Sequence, residues 1–392
     1  MNYRFDKQSF DKLNGIDEIR EEIRALQKFN PDPRADKGLV DRAVAQYHPH
    51  GIKVRVSEII EETPSCKILR LRPVEGLLPP FIPGQYINLA LKIDGKHTSR
   101  AYSIASAPSQ RGYYEIAVRH KPDGYVTHYL LEKLTVNEEL EISAPAGQFY
   151  YNPLIHGKEI ALVGGGSGIT PFMSIVEHYY EKNDPDLKID LIYGCADEND
   201  VIYGKKLQAI AEQFPNFNFH LVISNPSESY EGLTGFITAD LLQQVLGDVN
   251  KKRFYLCGPE VMYQFVTKEL ESLGVDRNSL KREVQTPPSD PTQLEGWPEG
   301  ISKDQTFTIK LTDGRELQGS ASEPVLNTLE RYGVYVPSEC RAGECSICRG
   351  KVIAGDVYLP ASMRLRKSDH QYRYVHLCAA YPTSDITIQL DV

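Results

Sequence analysis

The chain is predicted to be a multidomain protein of α/β and β class, with an antiparallel β-barrel followed by a parallel α/β domain and a small C-terminal mixed β domain. Three observations carry this prediction. Residues 51–152 hold short alternating strands broken by Pro and Gly, residues 153–284 alternate buried-strand runs with helical periods, and residues 305–392 combine a hairpin, a helix and a cysteine loop. A Pro- and Gly-dense stretch at 285–304 reads as a linker, and residues 1–50 read as an N-terminal helical extension. A length of 392 residues suits this division.

Charge and cysteine usage narrow the function. A formal net charge of -9 without any polybasic run argues against nucleic acid as a partner. No apolar run is long enough to span a membrane, and Met1–Gly15 lacks the apolar core of a signal peptide. A cytoplasmic protein is therefore expected. Of seven cysteines, Cys66, Cys195 and Cys257 lie far apart in sequence, which is poor material for a disulfide framework.

In the extension, Ile19, Ile23, Leu26 and Phe29 fall on one helical stripe that Asn30-Pro31 ends. Such a stripe must cover something, either this chain's own surface or a partner. From Gly51 onward, Ile52–Val56, Cys66–Leu71, Gln85–Leu91 and Tyr114–Val118 read as barrel strands. Among them stand Pro83-Gly84-Gln85-Tyr86, Arg100-Ala-Tyr102-Ser103, Gly124-Tyr-Val-Thr127 and Pro145-Ala-Gly147-Gln-Phe149. Each alone signals no more than a strand or a turn.

The α/β region opens with the buried run Glu159–Val163, then Gly164-Gly165-Gly166-Ser167-Gly168-Ile-Thr170-Pro171 and a helical period over Phe172–Tyr179. Ile169 stands where the third glycine of the dinucleotide fingerprint belongs, so a plain Rossmann assignment fails. Strands follow at Lys188–Tyr193, Phe219–Ile223 and Arg253–Leu256, the last running into Cys257-Gly258-Pro259-Glu-Val-Met262.

After the linker, whose lone Trp297 suggests a pinned segment, Phe307–Leu311 and Glu316–Gln318 form a hairpin around Asp313-Gly314. A helix at Val325–Tyr332 and a closing strand at Asp385–Leu390 complete the domain. Between them lie Cys340, Cys345, Cys348 and the distant Cys378. This C-x4-C-x2-C…C spacing is that of plant-type ferredoxins, in which four thiolates hold a [2Fe-2S] cluster. Structural zinc is the competing reading, but zinc ligands are usually paired as two C-x2-C knuckles and only one exists here.

Taken in order, the four barrel motifs, the Gly164–Pro171 turn and the Cys257-Gly-Pro-x-x-Met262 turn resemble the ferredoxin–NADP reductase family. With a C-terminal β-grasp ferredoxin domain, residues 51–392 are similar to the reductase components of multi-component oxygenase systems. The resemblance implies that Tyr102 stacks on the flavin ring, that Ser103 lies near flavin N5 and that Arg100 pairs with the phosphate. It likewise implies that Gly124 and Thr127 meet the pyrophosphate, while Phe149 or Tyr150 stacks an adenine. That favours FAD, with FMN as the alternative. Gly165, Gly166, Gly168, Gly258 and Pro259 would admit the pyridine nucleotide, Thr170 would reach its nicotinamide side, and Cys257 would lie near nicotinamide C4.

NADPH-using relatives commonly carry arginine near Ala196-Asp197. Asp197 would repel a 2′-phosphate and can accept from a ribose hydroxyl, so NADH is favoured over NADPH unless Lys205 or Lys206 compensates. The implied activity is NADH-dependent reduction of the flavin, with single electrons leaving through the cluster to a protein acceptor. A terminal oxygenase or hydroxylase is expected. A non-oxygenase metalloprotein of the hybrid-cluster type and a larger electron-transfer complex are the alternatives. Arg341, Glu344 and Arg349 beside the cluster are expected either to touch that acceptor or to form a solvated rim.

Overall fold

The computed structural model of the chain describes residues 15–29, 51–122, 124–283, 290–361, 363 and 365–390. The described residues fall into two units, divided between residues 50 and 51. In the first, helix α1 (Ile16–Phe29) begins with Asp17 and Glu18 and ends near Lys28, charges that suit the two ends of a helix dipole. Its Ile19, Ile23 and Leu26 are exposed.

The second unit begins with β1 (Ile52–Thr63), β2 (Cys66–Pro73), β3 (Tyr86–Ile93), β4 (Lys96–Ser103), β5 (Tyr114–Arg119) and β6 (Glu139–Ile142). They pair antiparallel in the order β4-β3-β6-β1-β2-β5. The two edges meet just beyond β4, where the Ala105 amide donates to the Glu115 carbonyl at 2.7 Å. Curling of this kind hides the edges and encloses Val54, Leu69, Ile87, Leu89, Ile116 and Ile142. A short helix, α2 (Tyr125–His128), runs on into a π-turn over Tyr129–Lys133.

Next come β7 (Glu159–Gly165), β8 (Lys188–Cys195), β9 (Phe217–Ile223), β10 (Leu233–Thr234), β11 (Arg253–Cys257) and β12 (Leu280–Arg282), all parallel in the order β10-β9-β8-β7-β11-β12. Helices α3 (Thr170–Lys182), α4 (Gly204–Gln213), α5 (Ala239–Leu246) and α6 (Glu260–Ser272) form the connections. The chain moves from β7 to β8 on one side and returns to β11 on the other. The carboxyl ends of β7 and β11 therefore flank a topological switch point, where parallel sheets bind ligands. Barrel and sheet share one core: Ile68, Ala117, Phe149 and Tyr151 pack with Phe172, Tyr179 and Tyr255.

The C-terminal part holds β13 (Thr306–Leu311), β14 (Glu316–Ser320), α7 (Val325–Arg331), β15 (Arg349–Ala354), β16 (Val357–Tyr358), β17 (Tyr374–His376), β18 (Tyr381–Pro382) and β19 (Ile386–Leu390). The sheet order is β14-β13-β19-β15-β17, with β13 and β19 parallel and β16 paired to β18. Residue 284 and residues 285–289 of the expected linker lie outside the described residues. Trp297 beyond them is held by Tyr358 at 5.0 Å between ring centroids and by Nε1 donation to the Ile301 carbonyl at 2.9 Å. That part of the linker is thus fixed to the C-terminal domain. No helix among the described residues is long and apolar enough to cross a membrane.

Candidate functional site

A single cleft of about 1420 Å³ runs between all three parts of this unit. That exceeds the roughly 300–1,000 Å³ of an ordinary small-molecule pocket and leaves room for more than one ligand. Arg100, Tyr102, Ser103, Gly124, Thr127, Phe149, Gly168, Thr170, Cys257, Cys340, Cys345 and Cys378 all line it. Gly165, Gly166, Gly258, Pro259, Asp197 and Cys348 are not among its lining residues.

Strand β4 supplies the first wall. It pairs with β3 from Ile93–Lys96 to Tyr86–Ser103, and the two-residue period of a strand puts Arg100 and Tyr102 on one face. Burial pushes the Tyr102 phenol well above its usual range. Arg100 Nη1 donates to Thr98 Oγ1 at 2.9 Å and to the Ser99 carbonyl at 2.6 Å. Its guanidinium is lowered to about 10, first by burial and then by the nearby Arg341 cation. A buried cation so placed favours an anionic ligand.

At the second wall, Gly124 precedes α2 and Thr127 Oγ1 donates back to the Gly124 carbonyl at 3.1 Å. A Cβ on Gly124 would collide with that hydroxyl and stand 2.9 Å from the Lys121 carbonyl oxygen, so the turn requires glycine. Phe149 packs into the shared core against Phe172 and Tyr255, with ring centroids 5.8 and 5.7 Å away. The expectation that it stacks an adenine meets a ring whose neighbours are already aromatic. The half-buried Tyr150 instead lies under Lys281 Nζ at 4.9 Å.

The third wall is the switch point. Gly164 is the register partner of Cys257, so the glycine turn and the Cys-Gly-Pro turn leave adjacent strands side by side. Thr170 Oγ1 donates to the Ser167 carbonyl at 2.7 Å and closes the start of α3. The sequence reading gives these glycines to an approaching nucleotide, and in this fold the ends of the protein's own side chains also crowd three of them. A Cβ on Gly165 would come within 2.6 Å of Met262 Sδ, one on Gly166 would strike Arg119, and one on Gly258 would strike Met262. Asp197 lies apart, capping a 3-10 turn, where its Oδ1 accepts from the Asn199 amide at 2.7 Å.

The fourth wall is the cysteine loop. Arg341, Gly343 and Ser346 have φ of 51°, 78° and 62°, left-handed values that turn successive amides inward. The Ala342 and Cys345 amides donate to Cys340 Sγ at 3.4 Å each, and the Gly343 amide donates to Cys378 Sγ at 3.3 Å. The thiols contact one another as Cys340 with Cys345 and Cys348 with Cys378, and Cys340 with Cys378 joins the two pairs. Among the described residues no three metal-binding side chains close on a single ion. Two linked thiol pairs with amides aimed at their sulfurs are instead a donor set fitting a two-iron cluster.

Arg341 corrects the sequence expectation. It is neither rim nor partner surface, being only 4% exposed and paired to Glu330 through Nη1 and Oε1 at 2.6 Å. Arg349 pairs with Asp369 at 3.2 Å and lies over the Tyr374 ring. Glu283 was also missed. It lines the cleft beyond β12, and its carboxyl is raised to about 8 by burial and the facing Glu344. A lone glutamate before a Pro-rich stretch carries no sequence signal, and neither does Glu330, one charged residue of the expected Val325–Tyr332 helix.

Comparison with known proteins agrees with this arrangement. Residues 52–151 match the oxidoreductase FAD-binding domain, residues 162–268 the oxidoreductase NAD-binding domain, and residues 309–383 the 2Fe-2S iron-sulfur cluster binding domain. The chain is 27% identical over 350 residues to the glycine betaine monooxygenase reductase subunit of Chromohalobacter salexigens, covering 86% of this chain and 94% of that protein. It is 29% identical to the ferredoxin reductase component of the 3-ketosteroid-9-alpha-monooxygenase of Rhodococcus rhodochrous, covering 86% and 97%. Against the NADH oxidoreductase HCR of Escherichia coli the identity is 28%, covering 86% and 97%. The solved structure of phthalate dioxygenase reductase shares the fold, with a TM-score of 0.62, 19% identity and coverage of 87% and 98%.

Proposed function

We propose that this chain, a member of the ferredoxin–NADP reductase family with FAD-, NAD- and 2Fe-2S-binding domains, is the reductase component that feeds electrons from NADH to a terminal oxygenase. The observation that carries the reading is the one cleft on which β4, the Cys257 turn and the cysteine loop meet. The relatives that span nearly their whole length with it include two oxygenase reductases. When bound, the flavin converts a two-electron hydride into single electrons for the cluster.

The chain's own residues then work by positioning. Tyr102 offers a flat face to the flavin, Ser103 a hydroxyl near N5, and Arg100 with Gly124 and Thr127 a cradle for its phosphates. Thr170 and Cys257 hold the nicotinamide, and Asp197 accepts from a ribose hydroxyl of NADH. Cys340, Cys345, Cys348 and Cys378 hold the cluster. A reducing, cytoplasmic setting suits seven cysteines none of which is paired in a disulfide.

A second reading, delivery to a metalloprotein that is not an oxygenase, is favoured by the 28% identity to the Escherichia coli NADH oxidoreductase HCR, whose name carries no oxygenase. Purifying the native protein with its acceptor separates the two. The first reading expects an oxygenase component to co-purify and to turn over with NADH and this chain. Recovery of a different metalloprotein as the reduced partner would overturn it.

A further inference from the structure

One carboxylate joins the cysteine loop to the strand that carries Arg100, Tyr102 and Ser103. Glu330, in the last turn of α7, accepts from Arg341 Nη1 through Oε1 at 2.6 Å and from Arg341 Nη2 through Oε2 at 2.9 Å. The same Oε2 accepts from Thr98 Oγ1 of β4 at 3.0 Å. Thr98 Oγ1 in turn accepts from Arg100 Nη1 at 2.9 Å. The result is a continuous path, Arg341 to Glu330 to Thr98 to Arg100, from the residue after Cys340 to the residue two before Tyr102. Neutral bonds flank it: Asn88 Nδ2 donates to the Ser338 carbonyl at 2.7 Å, and the Ser99 and Ser338 hydroxyls meet at 3.1 Å.

Burial gives this path its meaning. The Arg341 and Glu330 side chains are 4% and 11% exposed, and Thr98, Ser99 and Asn88 are buried too. A buried bidentate pair gains little net stability, because desolvation offsets most of the attraction, but it imposes a geometry. Here the geometry is that of two domains. The Arg341 cation is near enough to act on Arg100, and the Glu330 carboxylate acts on it in the opposite sense. Without its charge the repulsion between the two cations is no longer offset.

We infer that Glu330 is a positioning residue for internal electron transfer, holding Arg341 and Thr98 together so that the cysteine loop docks against the flavin-binding strand. Electron transfer weakens steeply with distance, so the docked register sets how fast the cluster is reduced. Hydride delivery lies at the switch point on the other side of the cleft and does not depend on this contact. The prediction is a split between two steps of one turnover.

The test is anaerobic stopped-flow of the full-length protein loaded with flavin and cluster, with NADH as reductant, following flavin bleaching and cluster bleaching separately. In Glu330→Gln, which keeps the size and removes the charge, cluster reduction should slow about ten-fold, the scale of a lost charge-assisted hydrogen bond, while flavin bleaching stays within about two-fold. The visible and EPR spectra of the cluster should be unchanged, and amide exchange should rise across residues 96–103 and 338–342. Thr98→Val removes the bond to Glu330 across the domain boundary together with one acceptor of Arg100 Nη1, which keeps its bond to the Ser99 carbonyl, and should slow cluster reduction by about three-fold, as for a neutral hydrogen bond. Cluster reduction at the wild-type rate in Glu330→Gln overturns the inference. If Glu330→Gln fails to assemble the cluster, Thr98→Val decides alone: slowed cluster reduction supports the inference and an unaltered rate overturns it.

Discussion

The backbone of Gly168 lies directly against the carbonyl of Cys257, so closely that a Cβ on the glycine would collide with that oxygen and stand 2.8 Å from the Gly258 nitrogen. The obstacle is backbone on both sides, and no side chain can move aside to relieve it. Gly168→Ala must therefore push the glycine turn and the Cys257 turn apart. A loss of about 2 kcal/mol in stability is expected from such overpacking, together with a fall of about ten-fold in kcat/KM for NADH from misplacement of the bound nicotinamide. Thermal denaturation and NADH-driven flavin bleaching measure the two. Wild-type values for both would show that the two turns do not form one site.

The cysteine loop and the flavin cleft should be separable by a single substitution. Cys345→Ser keeps the amide that donates to Cys340 Sγ but removes one soft thiolate, which oxygen replaces poorly for iron. The cluster's visible and EPR signals should vanish while NADH still bleaches the flavin. Retention of the EPR signal at full intensity would mean that Cys345 is not a ligand.

Much of this was legible in the sequence because the informative residues were fixed by backbone requirements. The Cys340–Cys348 spacing and the Gly164–Pro171 turn each demand particular residues at particular offsets, and both appear where strand and loop patterns put them. Strand β4 was less legible as a strand, since Lys96–Ser103 is polar and its neighbours are the cleft and α7 as well as core. Arg341 reads from sequence as acceptor surface or solvated rim, because an arginine beside a cysteine loop looks solvent-facing until a second domain covers it. Its partner Glu330 follows from packing between distant segments, which no local pattern encodes. The contacts of Phe149 with Phe172 and Tyr255 were not legible for the same reason, since these neighbours are far away in the chain.

The Glu283 carboxyl gives a pH signature. Burial, with the facing Glu344 second, raises it from 4.5 to about 8, and Oε2 has no hydrogen-bond partner among the described residues. Between those two values the folded protein keeps a proton that the unfolded chain releases. The stabilising contribution is therefore complete below about pH 4.5 and is lost as pH rises through about 8. Glu283→Gln, always neutral, lacks this dependence. The thermal midpoint of the wild type should fall relative to the variant by several degrees, an expected ~3 °C or more, between pH 5 and pH 8. Parallel curves for the two proteins would mean that Glu283 ionises normally in the folded state.

The proposed preference for NADH rests on charge at the end of β8. Asp197 is exposed and its Oδ1 also accepts from Asn199 Nδ2 at 3.0 Å, which holds the carboxylate in place. Lys206, the cation that could have answered a 2′-phosphate, is paired with Glu177 at 2.7 Å. Lys205 is the remaining nearby lysine and is exposed, where water weakens its pull. In water a unit charge pair about 4 Å apart is worth about 1 kcal/mol, and a 2′-phosphate carries nearly two charges. NADH should therefore exceed NADPH in kcat/KM by about ten-fold or more, a difference of at least ~1.4 kcal/mol. Asp197→Asn keeps the cap to Asn199 and removes the charge, so the ratio should narrow by up to about ten-fold, mainly through KM for NADPH, as expected for a change in uniform binding. Added salt should narrow the wild-type ratio as well, because the repulsion acts at an exposed site. A ratio untouched by Asp197→Asn and by salt would place the discrimination elsewhere in the nucleotide site.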